Sequence, residues 1–305
     1  MQRSMSGSAG LTRREVLLGG GAAAVAALGA AAWLEHTTIA NRVDRLMARF
    51  QSGPVPPDTG AVVVDRTFRS RVLGADVGYS LALPPAVALG TRLPVAFCLP
   101  GRGATGHSVT EGLRMADFLG QAVRGGAEPF ALAAVDGGQS YWHRRASGED
   151  RMAMLVREFI PLCYRKHKLG GSRERRAALG WSMGGYGVLL AAETYPHLFA
   201  AIVASSPAVW PTYRDMMNGP GDAFDSAADF AAHDVIRGAA SLATTPVLVE
   251  CGTADPFYPF VRQLCARLPN SAGYRFSFGG HTSAYWRTVA AEELRFVARG
   301  LREAA

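Results

Sequence analysis

A chain of 305 residues, 49% of them apolar, is long enough for one large α/β domain or two small ones and can bury a sizeable core. Its formal charge of +7 is spread along the sequence, with no basic block interleaved with aromatics. That pattern argues against nucleic acid as a partner, although a basic protein can still lie near an anionic surface.

The amino end reads as a targeting segment rather than as part of a fold. Thr12-Arg13-Arg14-Glu15-Val16-Leu17-Leu18 opens a stretch of Gly, Ala, Val and Leu that reaches Leu34. A charged start followed by an apolar run is an export signal, and the paired arginines point to the twin-arginine route and an extracytoplasmic location. Ala30-Ala31-Ala32 offers a small-x-small cleavage site. The rival reading is an uncleaved anchor, since residues 16–34 are just long enough to span a bilayer and would hold the protein at a membrane. Residues 1–34 are therefore set apart from 35–59 and 60–305. Within 35–59, Ile39, Val43, Leu46, Met47 and Phe50 recur at helical spacing, and Gly53-Pro54-Val55-Pro56-Pro57 is a linker.

From residue 60 onward the pattern predicts an antiparallel edge hairpin over 61–68 and 77–83. Strands at 93–99, 130–135, 176–179, 200–204, 246–250 and 274–278 then alternate with helices at 108–123, 151–167, 186–195, 258–268 and 283–301. Such alternation gives a mainly parallel sheet with helices on both faces, whose ligands bind beyond the carboxyl ends of the strands. Residues 211–243 break the rhythm and read as an insertion of loops and short helices over that rim. Cys98, Cys163, Cys251 and Cys265 lack the spacing of a zinc site. An exported chain can pair its cysteines, but the apolar runs around Cys98 and Cys251 favour buried free thiols.

One stretch carries the chemistry. Leu179-Gly180-Trp181-Ser182-Met183-Gly184-Gly185-Tyr186-Gly187 lies between a strand-like and a helix-like run, as a nucleophile elbow requires. A serine hydroxyl needs a base to take its proton and an acid to orient that base. In this architecture the acid and then the base follow later strands. Asp255, in Cys251-Gly252-Thr253-Ala254-Asp255-Pro256-Phe257, fits the acid, although an aspartate before proline is also a common helix cap. His281, in Gly279-Gly280-His281, fits the base. Asp222, Asp225, Asp229 and Glu250 are weaker rivals for the acid. Negative charge developing on an attacked carbonyl needs donors, the first being the N–H of Met183 and the second coming from the loop Leu99-Pro100-Gly101-Arg102-Gly103. Gly101, Gly103, Trp142, His143 and Trp181 are the candidates for substrate contact. The aromatics of Tyr141-Trp142-His143 either wall the substrate or pin their loop to the domain, and His107 also stands near the rim.

Gly180-Trp181-Ser182-Met183-Gly184-Gly185, with Val135-Asp136-Gly137-Gly138 and Tyr141-Trp142-His143 before it and Cys251-Gly252-Thr253-Ala254-Asp255-Pro256-Phe257 and Gly280-His281 after it, resembles the "putative esterase" family of α/β-hydrolases. That family takes in esterase D-like carboxylesterases, feruloyl esterases and secreted mycolyltransferases, and the resemblance spans roughly residues 60–302. It implies the α/β-hydrolase fold, a Ser182–His281–Asp255 triad, and oxyanion donors on Met183 and Arg102. The mycolyltransferases carry Leu-Asp-Gly-Leu-Arg after the early strand, and its Asp and Arg help bind trehalose. Here the run is Leu99-Pro100-Gly101-Arg102-Gly103, and both sugar-binding positions are lost.

The sequence thus points to a serine esterase acting on small-molecule, lipid or carbohydrate esters outside the cytoplasm, with no metal or organic cofactor in its chemistry. An acyltransferase on the same site, or a non-catalytic envelope-binding protein on the same fold, are the alternatives.

Overall fold

The computed structural model describes residues 46, 47 and 50–303. The expected export signal and nearly all of the amphipathic run before the linker lie outside these residues. No helix among the described residues is long and apolar enough to cross a membrane.

Eight strands form one sheet: β1 (Val62–Ser70), β2 (Ala75–Leu83), β3 (Val95–Leu99), β4 (Ala131–Val135), β5 (Arg176–Trp181), β6 (Ala201–Ser205), β7 (Val247–Gly252) and β8 (Gly273–Ser277). Their order is β1-β2-β4-β3-β5-β6-β7-β8. The β1–β2 hairpin is antiparallel, with Val62 opposite Leu83, and β2 also runs antiparallel to β4. Every other pairing is parallel. The sheet is the doubly covered, mainly parallel one that the alternating pattern predicts.

A parallel strand buried on both faces reads as an unbroken apolar run, and its alternate side chains feed different cores. β3 shows this directly. Val95, Phe97 and Leu99 join one apolar cluster with Phe159, Ile160 and Leu189. Ala96 and Cys98 join the other, with Phe118, Leu119, Leu294 and Val297. Helix α1 (Met115–Arg124) and the last helix cover one face, packed on each other. The helical stretch 151–167, here α2, covers the other together with α3 (Met183–Thr194) and α4 (Tyr258–Cys265). The last helix, α5, runs Ser283–Glu303.

Two expectations are corrected here. The periodic stretch 108–123 is not one helix. A π-type turn over Ser108–Gly112 is followed by Arg114 at φ 61°, and only then by α1. Gly112 weakens the turn from within, and a left-handed residue cannot continue a right-handed helix. α3 begins three residues earlier than its apolar run suggests, because β5 extends to Trp181 and the reversal consumes Ser182 alone.

The irregular stretch 211–243 holds three short α-helices, Tyr213–Met217, Ala227–Ala232 and Val235–Gly238, and runs into a 3₁₀ helix, Ala239–Thr244. The side chains of Thr212, Ser226 and Asp234 cap the three α-helices by accepting backbone N–H bonds. All four cysteines are free and buried.

Candidate active site

Ser182 sits where β5 turns into α3, with φ 55° and ψ −118°. A non-glycine residue in that region is strained, at a cost of about 1–3 kcal/mol, and needs its surroundings to hold it. Three backbone bonds do so. Its N–H donates to the Ser205 carbonyl at 3.0 Å, and its carbonyl accepts from Tyr186 at 3.1 Å and Ala208 at 3.0 Å. The glycines around it permit the close packing. A Cβ on Gly184 would run into the Leu99 carbonyl, and one on Gly180 into the Gly184 carbonyl.

Asp255 lies in the turn beyond β7 and is 2% exposed. Its Oδ1 accepts the Phe257 N–H at 2.8 Å within the turn, but the cap position of the following helix is Phe257, without a side-chain cap, so Asp255 is not that helix's cap. Its Oδ2 lies 2.8 Å from His281 Nδ1, so the orienting arrangement is present. His281 follows β8. The Ala254 N–H donates to the Gly279 carbonyl at 2.9 Å, tying the acid turn to the histidine turn. Phe257 and Trp286 flank the imidazole, each with ring centres 5.2 Å away. His281 Nε2 reaches Ser182 Oγ at 2.8 Å. A carboxylate only accepts, so Nδ1 carries the proton and Nε2 presents its lone pair to the serine hydroxyl.

The other acidic residues are engaged elsewhere. Asp222 pairs with Arg102, Asp225 with Arg145, Asp229 with His143 and His233, and Glu250 with Arg275.

The loop after β3 folds over the serine. A Cβ on Gly101 would stand 3.5 Å from Ser182 Cβ, which is contact distance. Gly103, at φ 71°, donates its N–H to the Gly138 carbonyl at 2.7 Å, and Ala104 donates to Gly101 at 3.1 Å. Among the described residues, the N–H groups of Met183 and Arg102 donate to no backbone carbonyl. The Arg102 guanidinium is held by both Asp222 carboxylate oxygens, at 2.9 and 2.6 Å, and this bonding keeps Arg102 above and Asp222 below their ordinary pKa values.

Ser182 and His281 open onto a cavity of about 430 Å³, walled by Gly101, Arg102, Val109, Leu113, Trp181 and Trp286 among others. The broken helical stretch explains part of this wall, because Val109 and Leu113 lie on the turn that precedes α1. Of the expected substrate contacts, Gly101 and Trp181 line this cavity. Gly103 does not. It faces a second cleft of about 680 Å³, bounded by Asp136, Gln139 and Arg151. Trp142 is fully buried against α3, where a Cβ on Gly187 would strike its ring. His143 is 2% exposed and stacks on Phe224 and His233. Burial pushes its pKa down. These two aromatics pin their loop to the domain rather than wall the cavity. Tyr141 does the same work among Tyr186, Trp210 and Phe224, and burial raises its hydroxyl to about 12. His107 is exposed and pairs with Asp65, away from the cavity.

Val109, Leu113 and Trp286 were not singled out in the sequence. Trp286 stands five residues after His281 at the start of α5, so proximity to the base was its only signal.

The family described as "Putative esterase" matches residues 70–296. Esterase Rv1288 of Mycobacterium tuberculosis strain H37Rv is 26% identical over 148 residues, which are 46% of this chain and 31% of that protein. The chain thus aligns with about a third of the length of the curated relatives it matches. A solved ferulic acid esterase superposes with a TM-score of 0.70 at 22% identity, covering 79% of this chain and 98% of that one. An S-formylglutathione hydrolase from Agrobacterium tumefaciens gives 0.65 at 17% identity, covering 80% and 97%. A fluorophosphonate-binding serine hydrolase, FphF of Staphylococcus aureus, gives 0.64 at 18% identity, covering 78% and 98%. These superpositions establish the α/β-hydrolase fold.

Proposed function

The chain belongs to the putative esterase family, and from that premise we propose that it is a serine hydrolase cleaving carboxylic esters through an acyl-enzyme. The observation that carries this reading is the unbroken line from Asp255 through His281 to Ser182, with 2.8 Å at each step.

In the proposed cycle Ser182 Oγ attacks the ester carbonyl as its proton passes to His281 Nε2. Asp255 holds the imidazole in the required tautomer and stabilises the imidazolium that forms. The tetrahedral oxyanion is received by the N–H groups of Met183, next in chain to the serine, and Arg102, whose residue lines the same cavity; among the described residues neither donates to a backbone carbonyl. Collapse expels the alcohol, which takes the proton from His281. Water then attacks the acyl-serine with His281 as base and releases the acid. Side chains and water carry every proton in this cycle.

The apolar cavity beside Ser182 suits the acyl group of a small-molecule, lipid or carbohydrate ester. Pro100 and Gly103 stand where a trehalose-binding loop would need Asp and Arg, which favours water over that sugar as acceptor. The paired arginines and apolar run of residues 12–34 support export to the extracytoplasmic side. Sequencing the amino terminus of the exported protein distinguishes a cleaved signal from an anchor.

The test compares wild type with Ser182→Ala on p-nitrophenyl acetate and with a fluorophosphonate probe. The wild type hydrolyses the ester and takes up one probe per chain. Ser182→Ala loses roughly 10⁴-fold or more in kcat and all labelling. Equal turnover by both proteins would overturn the serine mechanism.

A further inference from the structure

The parallel strands leave two rims, and the one opposite Ser182 is basic. The helical stretch α2 ends at His167, and the chain turns through Lys168 at φ 60°. It then crosses the amino ends of four strands. The Gly170 N–H donates to the Leu93 carbonyl at 3.0 Å, just before β3. Arg176 opens β5, and its carbonyl accepts the N–H of Ala200, just before β6, at 2.7 Å. The Arg173 guanidinium donates to the Thr244 carbonyl at 3.1 Å, shortly before β7. Strand β5 spans 6 residues, so this rim stands about 20 Å from Ser182.

Residues 165–176 hold six Lys and Arg against one acid, Glu174. Of these cations, Arg165, Lys166 and Lys168 are exposed. The Arg175 guanidinium donates to the Arg92 carbonyl at 3.4 Å, which brings a seventh cation to the rim. Among the described residues, none of the seven forms an ion pair. Glu174 offers little counterweight, because it bonds its own backbone N–H and the Ser172 hydroxyl, which hold its pKa down. Arg173 and Arg175 donate to carbonyls rather than to carboxylates, so their charge stays uncompensated. Like charges gathered without partners repel one another, and an anionic surface would relieve that repulsion. In the same run Tyr164 is 44% exposed, its ring lying where a Cβ on Gly171 would stand 2.9 Å away.

We propose that this rim, centred on Arg165, Lys166 and Lys168, docks the protein on a bilayer that contains anionic phospholipid. A cluster of about four to eight Lys and Arg is what anionic headgroups attract, and the attraction fades within a Debye length. Tyr164 brings an apolar ring with a polar tip, which suits the depth of the headgroups. Single-stranded nucleic acid needs several rings for its bases to stack on, and Tyr164 is the one aromatic between residues 160 and 176. The apolar run of residues 16–34 is the chain's other membrane signal, and a polybasic surface is the second signal that steadies such attachment. Docked this way, the carboxyl rim with Ser182, Asp255 and His281 faces away from the lipid. The bound protein therefore keeps its turnover of a water-soluble ester.

The full chain is mixed with vesicles of phosphatidylcholine, with and without phosphatidylglycerol, and binding is read by co-sedimentation. Attachment through the apolar run of residues 16–34 adds to both kinds of vesicle, so the difference between them reads the charge. Phosphatidylglycerol tightens binding at least tenfold, and the gain disappears as sodium chloride rises from about 50 to about 500 mM. The variant Arg165→Gln/Lys166→Gln/Lys168→Gln loses the gain while its circular dichroism and its p-nitrophenyl acetate turnover match wild type. A polarity-sensitive dye on Tyr164→Cys shifts to the blue on the anionic vesicles, and the buried native thiols leave that label unique. Equal affinity for the two kinds of vesicle overturns the proposal, as does a triple variant that keeps the gain or a dye that does not shift. A single-stranded oligonucleotide that outcompetes the anionic vesicles at equal salt also overturns it, by assigning the surface to nucleic acid. Fluorophosphonate labelling of Ser182 reads the hydrolytic site separately, so failure of either reading leaves the other standing.

Discussion

Ser182 shows how a single residue is made exceptional by its neighbours. Its strained backbone persists because three backbone bonds and two glycine-permitted close approaches leave it no alternative. The sequence singled out Ser182, Asp255 and His281, which the structure brings within hydrogen-bond reach of one another, because each follows a strand end, and a strand end is legible from the close of an apolar run. It could not disclose which way a loop aromatic turns. Trp142 and Trp181 look alike as letters, yet one is locked under α3 and the other lines the cavity.

Glu293 gives a residue-scale prediction. It is fully buried in α5, and burial lifts its carboxyl from 4.5 to about 8. The folded state therefore keeps a proton that the unfolded chain has released. Its contribution to stability is greatest below pH 4.5 and is lost as pH rises from 4.5 towards 8. Glu293→Gln flattens that decline and raises stability at pH 8 by about 1 kcal/mol or more, as read by urea unfolding across the window. A variant with the wild-type slope would show that Glu293 does not hold the proton.

At the scale of elements, the insertion 211–243 is fastened to the loops that surround the site. Asp222 grips Arg102 on the loop after β3. Asp225 grips Arg145 at 2.9 Å and accepts the Ala146 N–H at 2.6 Å. Because Arg102 supplies a proposed oxyanion donor from its backbone, the grip on its side chain steadies that donor. Asp222→Ala is expected to lower kcat about tenfold, or about 1.4 kcal/mol, with KM little changed. Adding Arg102→Ala should cost nothing further, since the two side chains act as one unit. A kcat equal to wild type in Asp222→Ala would show that the backbone alone fixes the loop.

The regular elements were readable because strands buried on both faces and amphipathic helices have distinct periods. The break at Arg114 was not, since residues 108–123 keep a helical apolar rhythm through a turn that is not α-helical. The insertion was partly readable in retrospect. Thr212-x-x-Asp215 and Ser226-x-x-Asp229 carry the capping signature of short helices, but their few apolar residues gave no period to confirm it.

At the scale of the whole molecule, one mixed sheet with an apolar core on each face carries the site at its carboxyl rim, and nothing covalent reinforces it. The four thiols are scattered through both cores, and burial raises the pKa of each. A thiol that stays protonated and out of reach is a poor partner for oxidants or for disulfide exchange. The melting temperature should therefore be the same with and without dithiothreitol, and a reductant-sensitive transition would contradict the fold. Packing that depends on no disulfide is expected to be the same at reducing and oxidising potentials, so the chain should reach it without an oxidant or a disulfide isomerase.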